Sequence, residues 1–275
     1  AKGRRSDLMD PVRETPFIKI RRILRIFKKS GLLSALSPRG ALSLIHQTIM
    51  RTGPGAFHHI AAGNHPEKIA LIAGDRRLTY REINRRINML GNGLQSLGVR
   101  PGDRVAVMLK NSIEYVEATY ALARINASAV PINPLYKERE LSYILENSGS
   151  RGIIFDNEAK DAVSKAAKTL SASLFQIFTG EKSSPPPGNA ILYDDLLASG
   201  KDTFPKAKKE KEGVFTLLYT SGTTGKPKGA PRTKENSSTT AFASALEALP
   251  LHHDDIHLIL GPLFHAAPLV FTHFN

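Results

Sequence analysis

The feature that most constrains the fold of this chain is a repeated alternation between short apolar runs and longer amphipathic segments. Apolar runs with strand character lie at 69–73, 104–109, 129–133, 152–156, 214–219 and 258–260. Segments with helical periodicity lie at 78–97, 111–126, 141–147 and 159–170. Strands that alternate with helices in this way form a largely parallel sheet. We therefore predict an α/β fold with mostly parallel sheets flanked by helices.

The composition excludes several classes of protein. Hydrophobic residues make up 41% of the 275 residues and charged residues 23%, which is ordinary globular chemistry. No apolar run approaches the roughly 18 residues that a membrane-spanning helix needs. Cysteine is absent, which excludes a disulfide scaffold, a thiolate zinc site and a cysteine nucleophile. We expect a cytoplasmic protein.

A strongly basic leader opens the chain. Its first 40 residues contain eleven lysines and arginines but three acidic residues. Thr15 and Pro16 predict the start of a helix, because a hydroxyl is a good N-cap and proline is tolerated at the first helical position. Helical spacing then relates Phe17, Ile20, Ile23, Leu24 and Phe27. We predict a basic amphipathic helix over residues 16–29.

The sequence allows two surfaces on which such a helix could lie. It either packs its apolar stripe on the body of its own protein, or it lies on an anionic membrane. The second alternative predicts peripheral contact with the inner face of the membrane. Nucleic acid is not expected as a partner, because aromatic side chains are not interleaved with the basic ones for base stacking.

Two segments divide the rest of the chain. Residues 183–189 (SSPPPGN) predict a loop, because three consecutive prolines fit neither a helix nor a central strand. Residues 206–212 (KAKKEKE) predict a solvated connector. We therefore predict three parts: the leader at 1–56, a first α/β subdomain at 57–205, and a segment at 206–275 that starts a second, truncated α/β subdomain.

A glycine-rich stretch at 220–229 (TSGTTGKPKG) follows the apolar run at 214–219 and carries the clearest chemistry. It holds four hydroxyl side chains, three glycines and two lysines. Glycines permit close backbone approach, and successive free N–H groups form an anion-binding nest. A polyphosphate is the natural ligand of such a loop. The stretch is not a Walker A loop, since Thr220 replaces its first glycine and Pro227 replaces its Mg²⁺-binding hydroxyl.

The string YTSGTTGKPKG at 219–229 resembles the phosphate-loop signature of the adenylate-forming superfamily. That superfamily contains acyl-CoA synthetases, amino-acid adenylation domains and firefly-luciferase-like enzymes. LTYRE at 78–82, AVPINP at 129–134 and PLFH at 262–265 resemble further motifs of the same superfamily. The resemblance covers roughly residues 57–275, and the basic leader is similar to the N-termini of some bacterial fatty-acyl-CoA synthetases.

The resemblance implies a two-step ligation with ATP, Mg²⁺ and CoA. A carboxylate and ATP give an acyl-adenylate and pyrophosphate, and the CoA thiol then displaces AMP. His265 would lie at the mouth of the acyl pocket, and Lys226 would offset charge on the leaving pyrophosphate. The resemblance assigns the binding of the ATP phosphates to Thr220, Ser221, Gly222, Thr223, Thr224, Gly225, Lys226, Lys228 and Gly229. No metal ligand can be named.

The sequence leaves several functions open. We expect a medium- or long-chain fatty acid as substrate, because the basic amphipathic leader suits a lipid-handling enzyme. The alternatives are adenylation of an aryl or amino acid, an acyl-AMP ligase, or a non-catalytic fragment that binds anionic surfaces. Nothing in the chain matches the adenine-binding loop or the C-terminal catalytic lysine of the superfamily. We therefore expect the N-terminal portion of such a ligase, lacking the C-terminal half of the fold and inactive alone.

Overall fold

The computed structural model describes residues 57–170, 174–180, 185–207, 213–220, 227–233 and 254–272. Apart from Asp254 and Asp255, these residues belong to one compact unit. The predicted leader and its amphipathic helix at 16–29 lie outside the described residues.

Helices and strands alternate along the described part of the chain, as the sequence predicts. The helices are α1 (Phe57–Asn64), α2 (Tyr80–Ser96), α3 (Ile113–Arg124), α4 (Glu138–Ser148), α5 (Lys160–Thr169), α6 (Tyr193–Ser199) and α7 (Ala266–Phe271). The strands are β1 (Ile69–Ala73), β2 (Arg76–Thr79), β3 (Arg104–Met108), β4 (Ser128–Pro131), β5 (Gly152–Phe155), β6 (Phe175–Phe178), β7 (Ile191–Leu192), β8 (Val214–Thr220) and β9 (Lys228–Thr233).

One seven-stranded sheet organises this unit. Its strand order is β7-β6-β5-β3-β4-β8-β9, while β1 and β2 form a separate antiparallel pair. Every neighbouring pair from β7 to β8 is parallel, and β9 runs antiparallel to β8. Val105 of the central β3 pairs with Ala129 on one side and Gly152 on the other. The predicted α/β fold with a mostly parallel sheet is confirmed.

Helices cover both faces of the sheet. Val105 and Val107 of β3 enter one apolar core together with α2 and α3, whereas Ala106 and Met108 enter a second core with α4 and α5. Because successive residues of a strand point to opposite faces, β3 contributes to both cores. The chain leaves β3 towards α3 on one face but leaves β4 and β5 towards helices on the other. In open α/β sheets, ligands bind in the crevice that such diverging loops create at the carboxyl ends of the strands.

Residues on both sides of the predicted connector share this sheet. Thr216 of β8 pairs with Ala129 of β4. The division that the sequence predicts near residue 206 therefore falls within one sheet of the described unit.

The strand predicted at 258–260 is not formed in the described part of the chain. Residues 256–260 pair with no strand among the described residues, and Ile256, Leu258 and Leu260 are 81–87% exposed. Ile259, between them, packs against the main core. The segment therefore presents a row of alternate apolar side chains to solvent.

A buried ionic network ties three of the helices together. The carboxylate of Glu117 on α3 is fully buried and accepts hydrogen bonds from the Arg86 guanidinium on α2 and from the Tyr193 hydroxyl on α6, the latter at 2.6 Å. Burial raises the pKa of Glu117, and its two partners oppose that shift by stabilising the carboxylate. The network fixes α2, α3 and α6 relative to one another.

A capping box starts α2. The Glu82 amide donates to the Thr79 hydroxyl at 3.2 Å, and the Thr79 amide donates to the Glu82 carboxylate at 2.7 Å. These reciprocal bonds satisfy two N–H groups that the first turn leaves without helical partners. The helix predicted from LTYRE is confirmed. Within the described residues, no helix combines the length and apolarity needed to cross a bilayer.

Candidate functional site

The predicted phosphate-binding stretch begins and ends at the carboxyl edge of the sheet. Thr220, the last residue of β8, lies opposite Lys228, the first residue of β9, and Tyr219 lies opposite Gly229. The connection from β8 to β9 leaves and returns at one edge of the sheet. Because β8 is parallel to β4, the carboxyl end of β4 lies at the same edge. The hairpin therefore places both stems of this connection at the crevice edge of the fold.

Some of the predicted phosphate-binding residues can be located. Thr220 and Lys228 are exposed at the end of the hairpin where β8 finishes and β9 begins. Gly229 follows Lys228 on β9. A hydroxyl and an ammonium group in this position are both donors suited to an anion. The remaining predicted residues lie outside the described ones: Ser221, Gly222, Thr223, Thr224, Gly225 and Lys226.

Gly229 has a packing role that the sequence does not show. A Cβ atom at this position would lie 3.2 Å from Cδ1 of Leu217 and 3.3 Å from Cζ of Tyr219. The missing side chain therefore gives the Tyr219 ring room to lie across the hairpin. Direct contact between Gly229 and phosphate stays a prediction.

Helix α4 supports both stems of the hairpin. The Tyr219 hydroxyl donates to Oδ1 of Asn147 at 2.7 Å, and the Tyr143 hydroxyl donates to the carbonyl oxygen of Pro227 at 3.2 Å. Tyr143 and Asn147 are four residues apart and so lie on the same face of the helix. Burial raises the pKa of Tyr219 above its ordinary value of 10.0, so the phenol is a hydrogen-bond donor at neutral pH and remains one in mildly alkaline solution.

The PLFH segment at 262–265 forms a turn that leads into α7. The His265 amide donates to the carbonyl oxygen of Pro262 at 3.0 Å, and the Leu269 amide donates to the carbonyl oxygen of His265 at 3.3 Å. Leu263 is buried, Phe264 packs against the same core, and His265 is exposed with its ring centroid 4.5 Å from that of Phe264. The His265 imidazole is thus exposed to solvent, while the two residues before it anchor the turn to the core.

Side chains at the start of α3 hold this segment. The Asn111 amide donates to the carbonyl oxygen of Gly261 at 2.9 Å and accepts from the Leu263 amide at 2.7 Å. The Tyr115 hydroxyl donates to the carbonyl oxygen of Leu263 at 3.0 Å, and burial raises the pKa of this phenol. Because Asn111 follows β3, the PLFH turn is fixed at the carboxyl end of the central strand.

The fold therefore brings the two predicted parts of the site to one edge of the sheet. The PLFH turn lies at the end of β3 and the stems of the predicted phosphate-binding stretch lie at the end of β8, with β4 between these strands. Sequence reasoning missed the four polar residues that support these parts. These supporting residues are Asn111, Tyr115, Tyr143 and Asn147. Their partners lie more than 70 residues away along the chain, and no local pattern marks such contacts.

One further feature borders the site. An open groove of about 460 Å³ lies along residues 256–261 and Pro268, and its lining is mostly apolar.

Within the described ranges, no group of three or more histidine, aspartate or glutamate side chains could hold a metal ion. We therefore assign no Mg²⁺ ligand to the described residues.

Comparison with known proteins gives consistent matches over this region. The family described as AMP-binding enzyme matches residues 58–274. Feruloyl-CoA synthase of Amycolatopsis sp is 34% identical over 79% of this chain and 40% of its own length. The long-chain-fatty-acid–CoA ligase FadD13 of Mycobacterium tuberculosis is 32% identical over 73% of this chain and 38% of its own length.

Solved structures show the same likeness. The crystal structure of a long-chain-fatty-acid–CoA ligase from Archaeoglobus fulgidus superposes with a TM-score of 0.70 at 28% sequence identity. The match covers 81% of this chain and 44% of that one. The chain thus spans about 40% of the length of the curated relatives it matches.

Proposed function

Because this chain belongs to the AMP-binding enzyme family, we propose that the protein activates a carboxylic acid with ATP and transfers it to CoA. In the first step a carboxylate oxygen attacks the α-phosphorus of ATP, and pyrophosphate leaves. In the second step the CoA sulfur attacks the acyl carbon, the thiol loses its proton and AMP leaves. The products are an acyl-CoA thioester, AMP and pyrophosphate.

The hairpin between β8 and β9 is the observation that carries this proposal. It presents the hydroxyl of Thr220 and the ammonium of Lys228 at the carboxyl edge of the sheet. The intervening hydroxyls and glycines would donate to the β- and γ-phosphates, and Lys226 would offset charge on the departing pyrophosphate. Donors placed in advance where charge develops stabilise a transition state more than the ground state.

We propose His265 as the residue that faces the carboxylate of the acid. It is exposed at the same edge of the sheet, and the turn that carries it is anchored to α3. A histidine in this position can donate a hydrogen bond to a carboxylate. ATP and CoA are substrates in this scheme, and Mg²⁺ enters as the ion bound to ATP.

A medium- or long-chain fatty acid is the substrate that we favour. Support comes from the relatives that act on long-chain fatty acids and from the basic amphipathic pattern of residues 16–29. An aryl acid is the second candidate, since feruloyl-CoA synthase is similar to this chain over a comparable stretch.

We further propose that residues 16–29 make peripheral contact with the anionic inner face of the membrane. Each lysine or arginine near such a surface contributes about 1 kcal/mol, and the apolar stripe adds to that attraction. The measurement is co-sedimentation with anionic and neutral vesicles over a salt series, with DNA as a comparison. Binding to DNA with a steep salt slope and none to vesicles would instead favour the non-catalytic, anion-binding alternative.

Acid-dependent exchange between ATP and pyrophosphate tests the proposed reaction. The full-length protein is assayed with saturated fatty acids of medium and long chain, with aryl acids and without acid. We expect exchange that requires an acid and is fastest with the fatty acids. Lys226→Ala should lower the rate by about a hundredfold or more, whereas Lys206→Ala, an exposed control on the connector, should leave it unchanged. Exchange with aryl acids alone would reject the fatty acid, and no exchange with any acid would reject the reaction.

The 275-residue chain by itself is expected to give no turnover. It spans only about 40% of the length of its curated relatives, and the proposed residues supply phosphate and carboxylate contacts without an assigned adenine or ribose site. The same exchange assay tests this expectation.

A further inference from the structure

The turn that carries His265 is held by side chains of another element. Residues 256–260, which lead into it, have no strand partner in the described part of the chain. The backbone of Leu263 bonds instead to side chains of another element: its N–H group donates to Asn111, and its carbonyl oxygen accepts from Tyr115. Buried backbone groups need such partners, and here two side chains at the start of α3 provide them.

Asn111 is the more specific of the two supports. Its amide group spans Pro262, which has no N–H group to donate, by bonding to the residues on either side of it. The carbonyl oxygen of Pro262 then accepts a hydrogen bond from the His265 amide. The turn that orients His265 therefore starts at Pro262, and Asn111 holds the residues on both sides of that proline. Asn111 itself is exposed and contributes little apolar burial to the core.

We propose that Asn111 is a positioning residue that orients His265 towards the carboxylate of the acid substrate. This inference rests on the proposed function, because it assigns His265 to the acid. Asn111 acts through the turn at 262–265 and does not itself touch the substrate. Its loss should therefore weaken the use of the acid and leave the use of ATP unchanged.

The test separates this role from a general effect on folding. In the full-length protein, Asn111→Ala should raise the KM for the acid by about tenfold, as expected for the loss of two neutral hydrogen bonds. The KM for ATP should change by less than about twofold. Asn111→Asp keeps the acceptor for the Leu263 amide but sets a carboxylate oxygen against the Gly261 carbonyl oxygen, so it should not restore the KM for the acid. Asn157→Ala is the matched control, since Asn157 is also an exposed asparagine at the carboxyl edge of the sheet.

A double-mutant cycle with His265 distinguishes a positioning role of Asn111 from a general effect on folding. If Asn111 acts through His265, Asn111→Ala should have no further effect on the KM for the acid in a His265→Ala background. An undiminished effect in that background would overturn the proposal, as would an equal rise in the KM for ATP.

A second readout does not depend on turnover. Hydrogen exchange at the Leu263 amide should speed up by about tenfold or more in Asn111→Ala and stay unchanged in Asn157→Ala. Unchanged exchange would overturn the inferred support even in an active enzyme. Faster exchange in a protein that activates no acid would reject the proposed function and with it the assignment of His265 to an acid, while the support of the turn would stand.

Discussion

The hydroxyl of Tyr219 donates a 2.7 Å hydrogen bond to Oδ1 of Asn147, which joins the last turn of α4 to the strand that enters the predicted phosphate-binding stretch. Tyr143, one turn earlier on α4, makes the corresponding contact with Pro227 where the chain returns. A single helix face thus fixes both ends of a connection whose proposed function requires its amides to converge on one ligand.

Removing the Tyr219 hydroxyl should therefore weaken the use of ATP. We expect Tyr219→Phe to raise the KM for ATP about three- to tenfold in the exchange assay, the range for one neutral hydrogen bond. The KM for the acid should not change. Tyr136→Phe is the control, because Tyr136 is a half-buried tyrosine packed against the same core. Equal effects of the two substitutions would show that the Tyr219 contact has no special role.

Breaking the buried network around Glu117 should strongly destabilise the protein. Arg86→Ala leaves a fully buried carboxylate without its cation, and we expect it to lower the free energy of unfolding by about 3–5 kcal/mol. Urea denaturation measures this change.

The adjacent Arg85 provides a control for that measurement. Its ion pair with Asp202 spans 3.8 Å and both side chains are more than 60% exposed, so Arg85→Ala should cost less than about 0.5 kcal/mol. Comparable losses for the two substitutions would contradict the importance of burial at Glu117.

The start of α2 should show a predictable dependence on pH. Hydrogen bonds from the Thr79 backbone and side chain lower the pKa of Glu82 in the folded protein below its ordinary value of 4.5. The capping contribution is therefore present above pH 4.5 and is lost as the pH falls through the lower, folded-state pKa.

Glu82→Gln removes this titration. We expect its stability deficit relative to the unsubstituted protein to be below about 1 kcal/mol near neutral pH, because Glu82 is exposed, and to shrink as the pH falls. Urea denaturation from pH 6 to about pH 3 measures the difference. Glu146→Gln, an exposed change on α4, is the control. A deficit that grows on acidification would contradict the assigned direction of the shift.

Local patterns predicted much of this fold. The alternation of strands and helices predicted the central strands, and the helical periodicity of residues 78–97 predicted α2, because both patterns involve residues close together in the sequence. The short strands β6 and β7 and the helix α6 were missed. Each is at most seven residues long, and β6 and β7 are fixed mainly by pairing with neighbours distant in sequence.

The candidate site shows the same division. The composition of residues 220–229 predicted an anion-binding loop, and the structure describes its stems at the carboxyl edge of the sheet. Asn111 and Asn147 gave no signal, because an isolated asparagine looks alike in sequence whether it faces solvent or holds a distant turn. The apolar run at 258–260 predicted a strand that the described structure does not form. Hydrophobicity predicts burial, but it does not show whether a partner strand is present.

The exposed apolar row at residues 256–260 should make the 275-residue chain bind hydrophobic dyes. Leu258 is 81% exposed, so we expect Leu258→Lys to lower the fluorescence of bound anilinonaphthalene sulfonate and leave the melting temperature unchanged. Ile259→Lys should instead lower the melting temperature, because Ile259 packs against the core. Unchanged dye fluorescence in Leu258→Lys would show that this row is covered in solution.

Hydrogen exchange of the full-length protein with and without ATP and Mg²⁺ tests the central claim most directly. If the hairpin connection between β8 and β9 holds the triphosphate, amides within residues 220–229 should exchange more slowly when ATP is bound, in proportion to its occupancy. Bound ATP that leaves these amides unprotected, while protecting another part of the protein, would contradict the claim.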